Sequence, residues 1–249
     1  YVSLKKKGRY FTGLCPFHSE KSPSFFVYPQ TQSFYCFGCG AGGDVITFIR
    51  KIENLEYMEA VRLLAQKCGM TVPEDSDSDD RSALRKRILE INRETARFFH
   101  SCLMSEQGKT AYEYLIRRGR DRKTIRHFGL GYSPAGWHDL CNFLKSKGFS
   151  EQEMVAANVA SESKKGGVFD RFRNRVMFPI IDLRGNVVAF GGRALDDSSA
   201  KYLNTSDTPV FKKSKNLFAL NFAKTSKLPG LILAEGYMDV IALHQAGFD

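Results

Sequence analysis

No run of apolar residues in this 249-residue chain is long enough to cross a bilayer, and no apolar leader segment is visible in it. Both absences point to a soluble, cytoplasmic protein with no membrane partner, and they argue against disulfides among its six cysteines. No internal repeat occurs, which excludes solenoids and propellers. Low-complexity sequence is confined to one short acidic run. Proline is sparse, with eight residues, and the single tryptophan, Trp137, stands beside His138 in no pattern, so both read as core or surface. Acidic residues are outnumbered 27 to 37, giving a net charge of +10. What remains is 43% hydrophobic and 12% aromatic, enough for one large or two modest packed domains.

Four of the eleven cysteines and histidines fall in one 25-residue window, as Cys15, His18, Cys36 and Cys39. The spacing C-x2-H-x17-C-x2-C offers two ligand pairs, each on a short turn, as a tetrahedral zinc ion requires. Cys68, Cys102 and Cys141 are scattered. Strands are expected over Tyr10–Leu14, Ser24–Tyr28 and Ser33–Cys36, with a turn at Pro29–Gln32, which together make a zinc ribbon. Gly38 and Gly40 bracket Cys39, where the backbone must bend so that its amides approach the sulfurs. Four protein ligands leave no position for water, so the zinc is read as structural. Phe25, Tyr28, Phe34, Tyr35 and Phe37 offer flat faces on which unstacked bases could lie, or form the module's small core. Alternation along a strand puts Phe34 and Tyr35 on opposite faces, so at least one exposed aromatic is expected beside Lys21.

Charge is unevenly spread. Residues 163–227 hold 13 basic against 5 acidic groups, a density that attracts polyanions or simply forms a solvated face. After the ribbon, Val45–Ile52 reads as a helix capped by Asp44, and Tyr57–Cys68 as a second helix stopped by Gly69. Residues 73–81, acidic and without apolar content, read as a flexible linker. Beyond Ser82, Leu84, Ile88, Ile91, Phe98 and Cys102 mark a helix face, with short helices around 112–116 and 140–144. Arg175–Ile181 and Val187–Phe190 read as a hairpin turning at Arg184-Gly185-Asn186. Leu231–Ala234 reads as a buried strand ending at Glu235-Gly236, and Tyr237–Ala246 as the helix that follows.

The segments Cys15-Pro16-Phe17-His18, Lys21-Ser22-Pro23-Ser24-Phe25 and Cys36-Phe37-Gly38-Cys39-Gly40 resemble the zinc-binding domain of bacterial DnaG-type DNA primases. Further on, Arg171-Phe172-Arg173-Asn174-Arg175-Val176-Met177-Phe178-Pro179, Gly191-Gly192-Arg193, Lys201-Tyr202-Leu203-Asn204 and Glu235-Gly236-Tyr237-Met238-Asp239 resemble that family's RNA polymerase domain, in the correct order. The resemblance implies an α+β protein. Its parts would be a zinc-ribbon template-binding domain over 1–72, the linker 73–81, a basic N-terminal polymerase subdomain over 82–227, and the start of a Rossmann-like TOPRIM core over 228–249. It implies template-directed synthesis of RNA primers from ribonucleoside triphosphates on single-stranded DNA, with a replicative helicase bound through a C-terminal region not present in this sequence. By matching position, Arg193, Lys201 and Lys213 look like the family's basic groove, with Asn204 beside them. Glu235 and Asp239 look like the first acidic positions of TOPRIM, there to hold Mg2+ or Mn2+.

The residue types suit that chemistry. Joining nucleoside triphosphates is an in-line displacement at phosphorus that needs divalent ions on hard oxygen ligands. A Glu at the carboxyl end of a strand projects into the crevice where open α/β sheets bind ligands, though it can equally just cap the next helix. Arg193, Lys201, Lys213, Arg171, Arg173 and Arg175 could contact phosphate without reading sequence. In an extended stretch Arg171, Arg173 and Arg175 share one face, where they could also be a charged strand edge. A TOPRIM site also needs a later Asp-x-Asp, and Asp75-Ser76-Asp77 and Asp77-Ser78-Asp79 match only inside the linker. Residues 1–249 are therefore expected to bind single-stranded DNA with an incomplete catalytic site. A non-catalytic, zinc-dependent DNA-binding protein derived from a primase is the rival reading. A TOPRIM nuclease or topoisomerase would need a nucleophilic tyrosine, and Tyr237 at a helix start reads as packing.

Overall fold

The structure, a computed structural model, describes residues 1–53, 55, 57–72, 76–196, 200–226 and 230–248. The chain forms two compact units, Tyr1–Asp75 and Ser76–Asp249.

The first unit is an antiparallel sheet followed by two helices. Strands β1 (Lys5–Lys7), β2 (Tyr10–Gly13), β3 (Phe25–Tyr28), β4 (Ser33–Cys36) and β5 (Gly42–Asp44) pair in sequence order. Alternation along β3 and β4 turns Phe25, Phe34 and Cys36 inward, where Phe17 and Phe48 join them. The Phe25 and Phe34 rings stack at 5.3 Å and the Phe17 and Phe48 rings meet edge-on at 5.4 Å. Helix α1 (Val45–Ile52) starts at Asp44, whose carboxylate accepts the Thr47 N–H at 2.7 Å and is thereby held below the usual carboxylate range. Helix α2 (Tyr57–Lys67) ends at Gly69 as its sequence predicts. The edge strands β1 and β5 have no signature in the sequence, because three residues are too few to display a period.

The second unit opens with the 28-residue helix α3 (Ser76–Leu103). This corrects the linker reading: residues 76–81 are helical, and only Pro73–Asp75 of that stretch lie outside the described residues. Acidic side chains favour the positive end of a helix dipole, so an apolar-free acidic run can start a helix whose later turns are buried. Those turns supply Ile88, Ile91, Phe99 and Leu103 to the core. After α3 come α4 (Lys109–Arg117), α5 (Arg122–His127), β6 (Gly131–Ser133), α6 (Asp139–Ser146), α7 (Glu151–Ala156) and the hairpin β7 (Ala160–Glu162) with β8 (Val168–Asp170). Strands β9 (Arg175–Ile181), β10 (Val187–Ala194) and β11 (Tyr202–Asn204) then complete a four-stranded antiparallel sheet in the order β11-β10-β9-β6. Short helix α8 (Leu220–Ala223) and α9 (Tyr237–Gln245) follow.

Strand β9 is buried from Arg175 to Ile180, which explains why its sequence is a continuous apolar run without alternation. Met177 faces the cluster built by α3, α6 and α7, while Val176 and Phe178 face the one built by α4, α5 and α9. The buried Asp170 carboxylate accepts the N–H groups of Leu140 and Cys141, both at 2.8 Å, and so ties β8 to the first turn of α6. On the other side of the sheet, the Tyr237 ring stacks on Phe178 at 5.1 Å, and a Cβ on Gly191 would run into that ring.

One expected strand is not there. Leu231–Ala234 pairs with no strand among the described residues, and Leu231 and Leu233 are 71% and 81% exposed. An apolar tetrapeptide becomes a strand only where a neighbouring edge supplies hydrogen-bond partners, and among the described residues none runs beside it. The helix expected after it is present as α9.

Candidate zinc centre and nucleic-acid interface

The turn before β3 and the turn after β4 bring the four predicted ligands together. Sγ of Cys15 and Sγ of Cys39 are 3.8 Å apart, Sγ of Cys36 and Nδ1 of His18 are 3.7 Å apart, and all four ligand atoms lie within 4.8 Å of one another. Tetrahedral zinc with Zn–S bonds of about 2.3 Å sets its sulfurs about 3.8 Å apart, whereas a disulfide would need about 2 Å. The residues fit a structural zinc ion. Although burial acts the other way, hydrogen bonds from the Cys39 and Gly38 amides help bring the Cys36 thiol down to about 6, while burial pushes the neighbouring Cys15 thiol up to about 11.

Two supporting residues stand outside the ligand motif. Glu20 accepts the N–H groups of Cys15 at 2.7 Å and Ser24 at 3.1 Å, and it accepts the Ser24 hydroxyl through its other oxygen. That second oxygen also stands 3.2 Å from Nε2 of His18. The carboxylate thus orients the imidazole so that Nδ1 points at the sulfurs. Ser24 Oγ in turn reaches Cys36 Sγ at 3.2 Å. The only sequence signal for this pair is an acid two residues past a candidate ligand. Gly38 is required by proximity: a Cβ there would sit 2.6 Å from His18 Nε2.

Opposite the ribbon core, Tyr10, Phe26, Tyr28, Tyr35 and Phe37 form a continuous aromatic surface, with ring centroids 4.9 to 6.4 Å apart. Strand register sets Lys7 opposite Tyr10 and Lys5 opposite Thr12, on the same face. Phe34 is buried and Tyr35 exposed, as strand alternation predicts, while Phe25 belongs to the core. Lys21 is exposed on the loop between Glu20 and Ser24.

In the second unit the predicted basic residues separate into two kinds. Arg193, at the end of β10, donates to the Tyr202 hydroxyl at 2.8 Å, and its guanidinium lies 5.4 Å from the Tyr202 ring and 5.5 Å from the Tyr114 ring. Lys201 is exposed beside it in the chain fold, its carbonyl accepting the Ala194 N–H at 3.0 Å. Lys213 is exposed, its amide bonded to Asp207 at 3.0 Å. Arg171, Arg173 and Arg175 do not share a face, which corrects the extended-stretch reading. Residues 171–174 are irregular, and each guanidinium is engaged by the fold. Arg175 is buried and donates to the carbonyls of Gly192 and Ala200; burial lowers its pKa. Arg171 reaches the Asn204 carbonyl and the Ser206 hydroxyl, each at 3.4 Å. Arg173 lies over the exposed Trp137 ring at 3.9 Å. The side chain of Asn204 is likewise occupied, accepting the Tyr237 hydroxyl at 2.9 Å.

Glu235 and Asp239 flank Gly236, the N-cap of α9. Among the described residues no third acidic group joins them, and the cysteine–histidine quartet is the one cluster of three or more potential metal ligands. Glu235, Lys213 and Asn204 do line a common cavity of about 790 Å³, with Tyr202 and Tyr237 in its wall. Tyr237 is half-buried, stacked on Phe178 and bonded to Asn204, and burial raises its pKa. No described helix is long and apolar enough to cross a membrane.

Two family profiles match the chain: a CHC2 zinc finger over residues 1–80, and the N-terminal domain of the DNA primase catalytic core over residues 98–224. A DNA primase of Clostridium acetobutylicum is 45% identical over 251 residues, covering all of this chain and 42% of that protein. The chain thus spans about two-fifths of the length of the curated relatives it matches. The crystal structure of the Aquifex aeolicus primase, comprising zinc-binding and RNA polymerase domains, is 36% identical with a TM-score of 0.60, covering all of this chain and 60% of that one. A DnaG primase catalytic domain bound to single-stranded DNA is 35% identical with a TM-score of 0.63, covering 67% of this chain and 55% of that one.

Proposed function

The chain belongs to the bacterial DnaG-type primase family, and from that premise we propose that it holds a single-stranded DNA template for RNA primer synthesis in the cytoplasm. One observation carries the reading. The Arg193 guanidinium lies near the Tyr114 and Tyr202 rings and donates to the Tyr202 hydroxyl, with Lys201 next to it in the fold, so the pair offers positioned donors suited to a phosphate backbone. The aromatic face of the first unit, edged by Lys5 and Lys7, supports a second contact in which unpaired bases stack.

The cavity shared by Lys213 and Glu235 suits an incoming ribonucleoside triphosphate, the lysine toward phosphate and the carboxylate toward Mg2+ or Mn2+. Such an ion would activate the attacking oxygen and neutralise the leaving pyrophosphate. Glu235 and Asp239 would open a TOPRIM-type metal site, whose remaining carboxylates are not among the described residues. Residues 1–249 by themselves therefore bind template and do not polymerise. The replicative helicase remains a partner implied by the family, with no surface here assigned to it.

The test is the affinity of residues 1–249 for a fluorescein-labelled 20-mer of single-stranded DNA across a salt series. Affinity should fall steeply with salt, and a double Arg193→Ala, Lys201→Ala variant should weaken it at least tenfold. Affinity insensitive to both would refute the groove, and robust magnesium-dependent primer synthesis by these residues alone would refute the restriction to binding.

A further inference from the structure

A charge removed from water is tolerated only where hydrogen bonds replace those it loses. Arg175, the first residue of β9, is 5% exposed, and its partners are two peptide carbonyls. Its Nη1 donates to the Gly192 carbonyl at 3.3 Å and to the Ala200 carbonyl at 2.8 Å. These are the residues immediately before Arg193 and Lys201. One buried nitrogen therefore joins the two peptide groups that lead into both basic side chains.

Glycine makes room for this arm. A Cβ on Gly192 would stand 3.0 Å from Cδ of Arg175 and 3.2 Å from Sδ of Met177, so the bare backbone at 192 lets the arginine stem lie against β10. Asn174, the neighbour of Arg175 in the chain, holds the start of the β10–β11 connection. Its carbonyl accepts the Leu195 N–H at 3.2 Å, and its Nδ2 donates to Asp196 at 2.5 Å. The Tyr132 hydroxyl donates to its side-chain oxygen at 3.3 Å, which sets the orientation of that amide. The connection is thus held at Leu195 and Asp196 by residue 174 and at Ala200 by residue 175. The Ala194 N–H, donating to the Lys201 carbonyl at 3.0 Å, closes it.

Resting on the template-binding reading above, we infer that Arg175 is a positioning residue, which touches no nucleic acid and whose buried fork sets the separation of Arg193 and Lys201 so that both meet phosphates of one strand together. Two cations held at a fixed spacing lose less freedom on binding than two on a loose connection. An arginine that contacted phosphate itself would contribute whether or not Arg193 and Lys201 were present. A positioning arginine contributes only through them.

The experiment is a double-mutant cycle on residues 1–249, read as affinity for a fluorescein-labelled single-stranded 20-mer at one low salt concentration. The variants are Arg175→Met, Arg175→Lys, the Arg193→Ala, Lys201→Ala pair, and each Arg175 change combined with that pair. Arg175→Met removes the donors, whereas Arg175→Lys keeps the charge and removes the fixed fork. Thermal unfolding followed by Trp137 emission fixes a temperature at which every variant compared is folded. Arg175→Met should weaken binding about tenfold and Arg175→Lys about threefold, and either change added to the pair should alter affinity less than about twofold. Should Arg175→Met not fold, the Arg175→Lys series decides. Parent-like binding by Arg175→Lys would overturn the inference, because the fork would then have no part in the spacing. An equal loss with and without the pair would overturn it too, since the arginine would then act on phosphate directly or on the fold at large. In both cases weakened binding by the pair alone leaves the template-binding reading standing. If the pair variant binds like the parent, that reading fails and this inference fails with it.

Discussion

Glu20 and His18 form a fixed pair in which the carboxylate stands 3.2 Å from Nε2 while Nδ1 of the same ring lies 3.7 Å from the Cys36 sulfur. The carboxylate decides which nitrogen is offered to the metal. Replacing Glu20 by Gln keeps its size and removes the charge that favours an Nε2–H donor. Zinc affinity should fall between tenfold and a hundredfold. Competition with a chromogenic chelator measures this, and an unaltered affinity would mean that the ribbon backbone alone sets the imidazole.

Removing the metal should affect the two units unequally. The first unit has a small core of Phe25, Phe34 and their neighbours around the ligands, whereas the second has two extensive apolar clusters. Small metal domains of this kind draw their folding free energy from the ion. A strong chelator should abolish the near-ultraviolet circular dichroism of the tyrosine-rich ribbon, while emission from Trp137, which lies in the second unit, stays constant. Loss of both signals together would show that the second unit depends on zinc.

Acid sensitivity in the second unit should trace to Glu153. Its carboxylate receives Arg87 at 2.6 Å, and that ion pair, with help from Ser150, brings its pKa down to about 2 from the ordinary 4.5. A lowered native pKa adds stability that is full above pH 4.5 and is lost as pH falls from there through 2. Urea midpoints read by Trp137 emission should therefore decline over that window. A Glu153→Gln variant should start lower at pH 6 and decline less; an equal decline in both would assign the acid limb elsewhere.

Asp170 should matter more than its lack of contact with solvent suggests. It is the hydrogen-bond acceptor for two amides at the start of α6, and Asp170→Ala would leave both N–H groups buried without it. At about 1.5 kcal/mol or more for each bond to a charged acceptor, the loss should be about 3 kcal/mol. Asp170→Asn, which retains one acceptor oxygen, should lose less. Urea unfolding provides the comparison, and equal losses for the two variants would remove the role given to the carboxylate.

The zinc ligands are legible in the sequence because their chemistry is encoded in close spacing: two pairs, each at x2, specify two turns. The central strands and most helices are legible for a similar reason, since β9 carries its burial in consecutive residues and α1 its apolar side chains on one helical face. Relationships formed across long sequence distances are not. Nothing near Asn204 announces that Tyr237 will occupy its side chain, and nothing near Arg175 announces that Gly192 and Ala200 will enclose it. Arg118 lies outside the dense basic stretch 163–227, although its guanidinium and that of Arg193 stand at the same Tyr114 ring. The acidic run misleads in the opposite direction, since composition alone describes a linker and the dipole of a long following helix makes it a helix start.

Because the ring of Tyr237 fills the space a methyl group at position 191 would take, these two sites, 46 residues apart in sequence, have a joint history imposed on them. A lineage that acquires any side chain at 191 must first surrender the aromatic at 237, and with it the bond to Asn204. The shortest mutational routes away from this pairing pass through a loosened α9, so the glycine and the tyrosine should be inherited and exchanged as a single unit.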